Sequence, residues 1–405
     1  MNKKKIFNDP VYGFVSIPYG IVFDLIEHPY FQRLRRIKQV GLTHYVYPGA
    51  LHTRFHHALG AMHLMTQAID VLRSKGIDIT EAEAKAASIA ILLHDIGHGP
   101  FSHALEHTLV NIHHEELSLL FMEALNEEFD GQLSMAIRIF QDEYPKRFLH
   151  QLVSSQLDMD RMDYLNRDSF FTGVSEGVIG YDRIIKMLSV SEDELVVEEK
   201  GIYSIEKFLM ARRLMYWQVY LHKTSLVAEQ MLIRALKRAK AMAKAKNQLV
   251  SSPSLSCFLY EDFQPADFRQ NPNELLGHYA NLDDTDIISL FKSNRQNEDF
   301  VLSYLSKSIL DRRLFKIVLS NSPFERDHIE KVRHKLVSVF GQENLNGDYI
   351  LFEGKESNSA YSTHKNEIRI LYKDGRILPM SKASDHKINP EIITKYYLCY
   401  PKNIL

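Results

Sequence analysis

Cysteine is almost absent from this chain. Cys257 and Cys399 are its only two in 405 residues, and they form no CxxC pair. A disulfide framework and a thiolate zinc site are therefore both excluded as organising features. No apolar run approaches the ~18 residues that a membrane span needs, and the basic start MNKKKIFNDP is not followed by an apolar segment of signal-peptide length. The expectation is a cytoplasmic protein with no membrane partner. Excess charge is also missing: 49 Lys and Arg against 51 Asp and Glu give a formal net charge of -2. No global field attracts nucleic acid, so any polyanion site has to be local. Internal repeats and low-complexity tracts are absent too.

What is present is ordinary globular composition, 45% hydrophobic and 25% charged, in a chain long enough for a large domain and a smaller one. Apolar residues recur at helical spacing over 21 to 40 and over 55 to 73. Thr80 with Glu83 forms a capping-box signature, predicting a helix that starts at Glu81, stops near Gly97 and carries His94 and Asp95 in its last turn. Pro100 and Ser102 suit the start of another helix. Further helical patterns cover 113 to 128, 146 to 168 and an unusually long 204 to 246. The fold class is mainly α, with residues 1–322 as the helical core. Residues 323–405 read as a small α+β appendage, in which EIRILYKDGRILPM places Asp374-Gly375 between two short β-type runs. The run MLIRALKRAKAMAKAK, 231 to 246, is basic throughout; the dipole of a long helix favours cations at its C-terminal end, so a solvated helix end is preferred there over nucleic-acid contact.

The chemistry concentrates in ILLHDIGHGPFSH, residues 91 to 103. A single histidine on an apolar helix is usually a core residue with a satisfied hydrogen bond. Here adjacent His94 and Asp95 follow the buried-type run SIAILL, and an unpaired buried carboxylate costs several kcal/mol. A divalent cation compensates that cost. His57 in HTRFHHALG is a candidate further ligand. Another comes from LDMDRMDYLNRD, where Asp160, Tyr164 and Asp168 recur on one helical face. Such an N/O set suits manganese, iron, nickel, cobalt or zinc better than calcium.

The pattern H(x)36HD with a distant Asp, extended as LLHDIGHGPFSH, resembles the HD-domain phosphohydrolases and, within them, the deoxynucleoside triphosphate triphosphohydrolases. The likeness is broad. FNDPVYGFV, PYFQRLRRIKQVG, YPGALHTRFHHALG, HDIGHGPFSH, HEE, DMDRMDYLNRD and YLHK follow in that family's order across residues 7 to 223. The resemblance implies an HD-domain helical bundle and His57, His94, Asp95 and Asp160 as ligands of a divalent metal, with magnesium among the candidates. It implies hydrolysis of a dNTP to deoxynucleoside and triphosphate, by metal-activated water attacking the α-phosphate. His103, paired with Glu106 at i, i+3, stands as general acid. His98 and His114 resemble further active-site histidines, and Glu115 accompanies His114. Arg54, Arg161, Arg212 and Lys223 match positions that contact phosphates or line the pocket. Gln39, Tyr164 and Asp168 match residues that meet the deoxyribose, and Tyr220 completes the substrate set.

Some members of that family are assembled and activated by nucleotides bound between subunits. Lys5, Asn8, Gln32 and Arg35 match parts of that second site, and Glu27 stands where an aspartate is usual. Of its later basic residues only Arg183 has a counterpart here, and EEKG, 198 to 201, lacks the usual arginine. Leu221 replaces a glutamine seen near the base. A regulatory nucleotide and a homo-oligomer, dimer or tetramer, follow as expectations. Alternatives from other classes are an HD phosphohydrolase acting on (p)ppGpp or a nucleoside monophosphate, and a non-catalytic nucleotide sensor.

Overall fold

The computed structural model describes residues 5–102, 104–106, 108–345, 347–358, 361–362, 367–385 and 392–402. The Thr80 signature does what its chemistry dictates. Thr80 Oγ1 accepts from the Glu83 amide at 3.2 Å and the Thr80 amide donates to Glu83 Oε2 at 2.8 Å, opening the helix Glu81–Leu93. Every residue from Ala86 to Leu93 is buried. The helix Arg54–Ser74 is buried around most of its circumference and is the central element, packed on one side by Glu81–Leu93 and on another by Met159–Thr172. Arg54–Ser74 carries His57 and Met159–Thr172 carries Asp160, while the helix Glu81–Leu93 ends earlier than expected, so that His94 is its C-cap and Asp95 lies in the turn that follows.

Two continuous helical patterns turn out to be broken, for different reasons. The run 21 to 40 becomes the helices Gly20–Glu27 and Pro29–Gln32 followed by a 3₁₀ turn, Arg33–Arg36. Pro29 forces His28 into extended backbone (ψ 138°), which ends the first helix. The run 204 to 246 becomes Ile202–Met215, a π-type turn Tyr216–Tyr220, and Lys223–Lys244. That widened turn aims Tyr216 and Tyr220 at the central cavity. The 146 to 168 pattern likewise splits into Arg147–Val153 and Met159–Thr172, the second capped by Asp158, which accepts from the Arg161 amide at 2.7 Å. No helix follows Pro100: the described residues from 100 to 110 form turns, with Phe101 and Ser102 at positive φ (53° and 59°).

The hairpin at Asp374-Gly375 is present, Arg369–Leu371 pairing with Ile377–Pro379 and Gly375 at φ 87°. Arg369–Leu371 also pairs, parallel, with Glu194–Glu198, which pairs with Leu188–Ser191. A second sheet joins Lys316–Ser320, Ile393–Tyr400 and Phe352–Asn358 in antiparallel order. Both sheets therefore cross the expected division at 322/323. Among the described residues no helix is long and apolar enough to cross a membrane. The cations of 231 to 246 are partly neutralised: Lys240 Nζ lies 2.9 Å from Asp262, Lys244 bonds the same carboxylate, and Arg238 bonds Asp299.

Gly60 explains how closely the central helix approaches Met159–Thr172. A methyl group at this position would overlap the Asp163 carboxylate and the Arg167 guanidinium. Both are fully buried and cannot retreat into solvent. Gly60→Ala is expected to lower unfolding free energy by about 2–3 kcal/mol, the cost of overpacking a closed site, despite the better helix propensity of alanine. A denaturant midpoint equal to or above that of the parent protein would show that the two helices can separate freely.

Candidate metal centre

Two imidazoles face one carboxylate at the junction of the three central helices. His57 Nε2 lies 3.1 Å from Asp160 Oδ1 and 3.4 Å from His94 Nε2, and His94 Nε2 lies 3.5 Å from Asp160 Oδ1. The three donor atoms fall within 4.8 Å of one another, a spacing that one cation can bridge. The tautomers are settled by the acceptors behind each ring. His94 Nδ1–H donates to the Ile91 carbonyl at 2.6 Å, and His57 Nδ1–H donates to Asp163 Oδ2 at 2.7 Å. In the neutral ring each Nε2 is therefore the inward-facing lone pair that metal ligation requires. The donor set therefore fits a divalent metal.

Asp95 adjoins this group, its oxygens 3.4 Å from His94 Nε2 and 3.7 Å from His57 Nε2. Its Oδ2 also takes a hydrogen bond from Arg54 Nη1, while Arg54 Nη2 donates to Ser102 Oγ at 2.8 Å. Electrostatics keep both carboxylates anionic. Burial raises Asp160, but His57 and His94 outweigh it and hold it far below the usual range; Asp95 is held down in the same way by His94, Arg54 and His98. Burial also opposes a charged His57, yet Asp160 and Asp163 pull that ring up to about 10. The cluster thus concentrates negative potential where a cation would sit.

The segment after Asp95 is clamped from several directions. Arg33, fully buried between the Phe121 and Tyr279 rings, donates from Nη2 to the carbonyls of Ile96 and His98 at 2.6 and 2.9 Å. Ser118 Oγ donates to the His94 carbonyl at 2.7 Å and accepts from the Gly97 amide at 2.9 Å. Gly97 leaves no room for a side chain, since a Cβ would overlap the His114 carbonyl. His98 stacks on His114, centroids 3.9 Å apart and planes at 19°. Burial and Arg54 keep His98 neutral. His114 Nδ1 meets Glu106 Oε1 at 2.8 Å, so these three form a second compact group of donor atoms. His103, and with it the expected pairing to Glu106, lies outside the described residues.

A cavity of about 630 Å³ opens from this centre. Gln39, Arg54, Asp95, His98, His114, Asp160, Arg161, Tyr164, Asp168 and Tyr220 all line it, which unites most of the catalytic, metal and substrate residues singled out in the sequence. Arg161 Nε donates to the Ser155 carbonyl at 2.6 Å, and Asp158 holds its guanidinium charged against burial. Tyr164 and Tyr220 meet edge to face, 6.1 Å between centroids. Asp168 Oδ2 accepts from Tyr220 OH at 2.7 Å and Oδ1 from His52 Nε2 at 2.6 Å. Gln39 Oε1, and Arg212 Nε and Nη1, are buried without a hydrogen-bond partner among the described residues. Burial raises the Tyr164 hydroxyl to about 12, with Arg161 and Arg212 opposing the shift; Arg212 does not line the cavity. Glu115 is exposed on the first turn of His114–Glu128, and Lys223 is exposed beside a neighbouring smaller cavity, so neither is brought to the centre.

The residues matched to a regulatory site lie at the N-terminal edge. Arg35 Nε donates to Gln32 Oε1 at 2.8 Å and stacks on Phe55, and Lys5 Nζ sits 3.2 Å above the Phe23 ring. Asn8 is in the strand Ile6–Asp9 and Glu27 ends the helix Gly20–Glu27. Arg183 donates to the Lys200 carbonyl at 3.0 Å. Sequence reasoning missed the supports: Asp163, Arg167 and Asp9 beneath His57, His52 beside Asp168, and Arg33 beneath the 94–98 segment. All five stand inside motifs already quoted, so position in a motif was their only signal.

Comparison with known proteins agrees with this geometry. Residues 54–168 match the HD domain and 179–253 match the HD associated region. A crystal structure of a phosphohydrolase from Bacteroides thetaiotaomicron is 52% identical and superposes with a TM-score of 0.95, covering 99% of this chain and 100% of that one. Uncharacterized protein YwfO of Bacillus subtilis is 30% identical, covering 100% of this chain and 94% of its own length. The deoxynucleoside triphosphate triphosphohydrolase SAMHD1 homolog of Dictyostelium discoideum is 30% identical over 78% of this chain, and the match spans only 60% of that longer protein.

Proposed function

The chain belongs to the HD-domain, dNTPase-like phosphohydrolase family, and we propose that it hydrolyses deoxynucleoside triphosphates to deoxynucleoside and inorganic triphosphate. The observation that carries this reading is the juxtaposition of the His57, His94 and Asp160 donor atoms with a cavity walled by Arg54, Arg161, Tyr164 and Asp168. His57, His94, Asp160 and Asp95 hold a divalent metal. When bound, that metal supplies Lewis acidity and neutralises charge at the α-phosphate. Arg161 and Arg54 bind the polyphosphate; the guanidinium of Arg54 is fixed by Asp95 and Ser102 and so loses little entropy on doing so. Arg212 adds positive potential behind Tyr164. The Tyr164 ring packs against the sugar at C2', leaving no space for a ribose hydroxyl, and Gln39 and Asp168 orient the 3'-hydroxyl. His103 protonates the departing O5', with Glu106, His98 and His114 holding the proton network around it.

Nucleotide activation and assembly into a dimer or tetramer belong to the same reading, through Lys5, Asn8, Glu27, Gln32 and Arg35. Incubating each of the four dNTPs with the manganese-loaded protein, alone and in pairs, and separating products by ion exchange tests it. Intact triphosphate is the expected first product, from a deoxynucleotide and not from its ribonucleotide. Pyrophosphate or orthophosphate as first product would assign another HD phosphohydrolase reaction, and binding without turnover at full metal occupancy would assign a sensor.

A further inference from the structure

The cavity has a wall that the chemistry above does not use. It comes from the helix Lys223–Lys244, through Leu226, Glu229, Gln230 and Ile233, and from the strand Phe352–Asn358 through Glu356. This strand lies some 130 residues beyond the end of the helical motifs, yet it closes the site that they build. Glu356 is half-buried, and its cross-strand neighbour Lys395 donates to Asn321. Burial raises its carboxyl, and Lys223 and Lys395 line a smaller cavity on which it also borders. Gln230 is oriented by Arg234, whose Nη1 donates to Gln230 Oε1 at 2.8 Å while its guanidinium stacks 3.8 Å over Phe352. With its oxygen occupied, Gln230 presents its Nε2 hydrogens. Burial raises the Tyr397 hydroxyl to about 12, with Arg234 opposing the shift and Glu356 and Glu229 adding to it.

We propose that Glu356 and Gln230 form a base-recognition subsite for guanine, the carboxylate accepting from N1–H and the N2 amino group and the amide donating to O6. The inference rests on the dNTP reading of the same cavity. Guanine alone among the four bases offers two adjacent N–H donors beside an acceptor on its pairing edge, and a carboxylate takes two such donors at once. Thymine turns carbonyls toward the same carboxylate and is repelled. The wall therefore selects by charge at a point remote from the metal, which leaves the reacting phosphate unaffected by the base.

The test measures kcat/KM for dGTP, dATP, dCTP and dTTP with the manganese-loaded full chain, as parent protein, Glu356→Gln and Glu356→Asp. Expected is a preference for dGTP in the parent, lost by roughly 10- to 100-fold in Glu356→Gln, the discrimination carried by one bidentate base contact. Turnover of dTTP should rise in Glu356→Gln, because the carboxylate that repels its carbonyls is gone, and Glu356→Asp should recover part of the dGTP preference. A parent protein with no preference for dGTP overturns the inference, as does an equal change in all four substrates. Calorimetric titration with deoxyguanosine and with thymidine reads the subsite without turnover. Selective deoxyguanosine binding in a protein that releases no triphosphate would sink the hydrolase reading and keep the subsite; triphosphate release without selectivity would do the reverse.

Discussion

Asp160→Ala is expected to reduce triphosphate release by at least about 10³-fold and to lower the metal content of the purified protein, while the chain stays folded. Several kcal/mol of transition-state charge stabilisation depend on a correctly ligated metal, and each 1.36 kcal/mol is tenfold in rate. Asp160 is the anionic member of the compact trio, its Oδ1 3.1 Å from His57 Nε2 and 3.5 Å from His94 Nε2. Removing it leaves the two imidazoles and an Asp95 whose Oδ2 is already shared with Arg54. Its side chain is 28% exposed, so truncation opens toward the cavity and creates little internal void. That separates it from the buried supports, where loss of activity and loss of fold would arrive together. Metal per chain by inductively coupled plasma mass spectrometry, with product release and a thermal melt on the same samples, reads all three quantities. Full activity in a variant with full metal content would remove Asp160 from the ligand set.

How far the sequence could reveal this centre depended on whether a residue's task is local. The His94-Asp95 pair was legible because a helix ending in an apolar run delivers those two side chains together wherever the helix goes. His57 and Asp160 were legible only through the ordered motifs, since neither spacing nor periodicity relates residues 37 and 66 positions from His94. The supports were not legible. Asp163 and Asp160 look alike in LDMDRMDYLNRD, yet one faces the cavity and the other lies beneath His57, a difference set by the packing of Met159–Thr172 on Arg54–Ser74. The breaks in the long helical patterns differ in the same way. Pro29 announces its own break through its missing amide hydrogen, whereas the π-type turn at Tyr216–Tyr220 has no proline or glycine to mark it. The sheet that brings Glu356 to the site is formed by strands more than 30 residues apart, beyond the reach of any local pattern.

Replacing Arg167 by alanine should cost the fold about 3–5 kcal/mol, the largest stability loss expected from a single change near the centre. Arg167 is fully buried. Its Nε and Nη2 bond the two oxygens of Asp163 at 2.9 and 3.0 Å, and its Nη1 bonds Asp9 at 2.7 Å. Alanine leaves two carboxylates inside the protein without their cation, and one of them is the group that orients His57. The variant should therefore also bind metal more weakly, by the 10- to 100-fold typical when a ligand's hydrogen-bond partner is disturbed. Arg167→Lys keeps the charge but not the fork that matches Asp163, so its stability should fall between the two. Denaturant unfolding and metal titration measure these effects; a loss below about 1 kcal/mol would mean that water reaches the pair. Gly60 provides an internal control, because the clash of an added methyl is with this same pair. Gly60→Ala should cost less in an Asp163→Ala background than in the parent, and strict additivity of the two changes would show that the helix contact, and not the ion pair, limits the space at position 60.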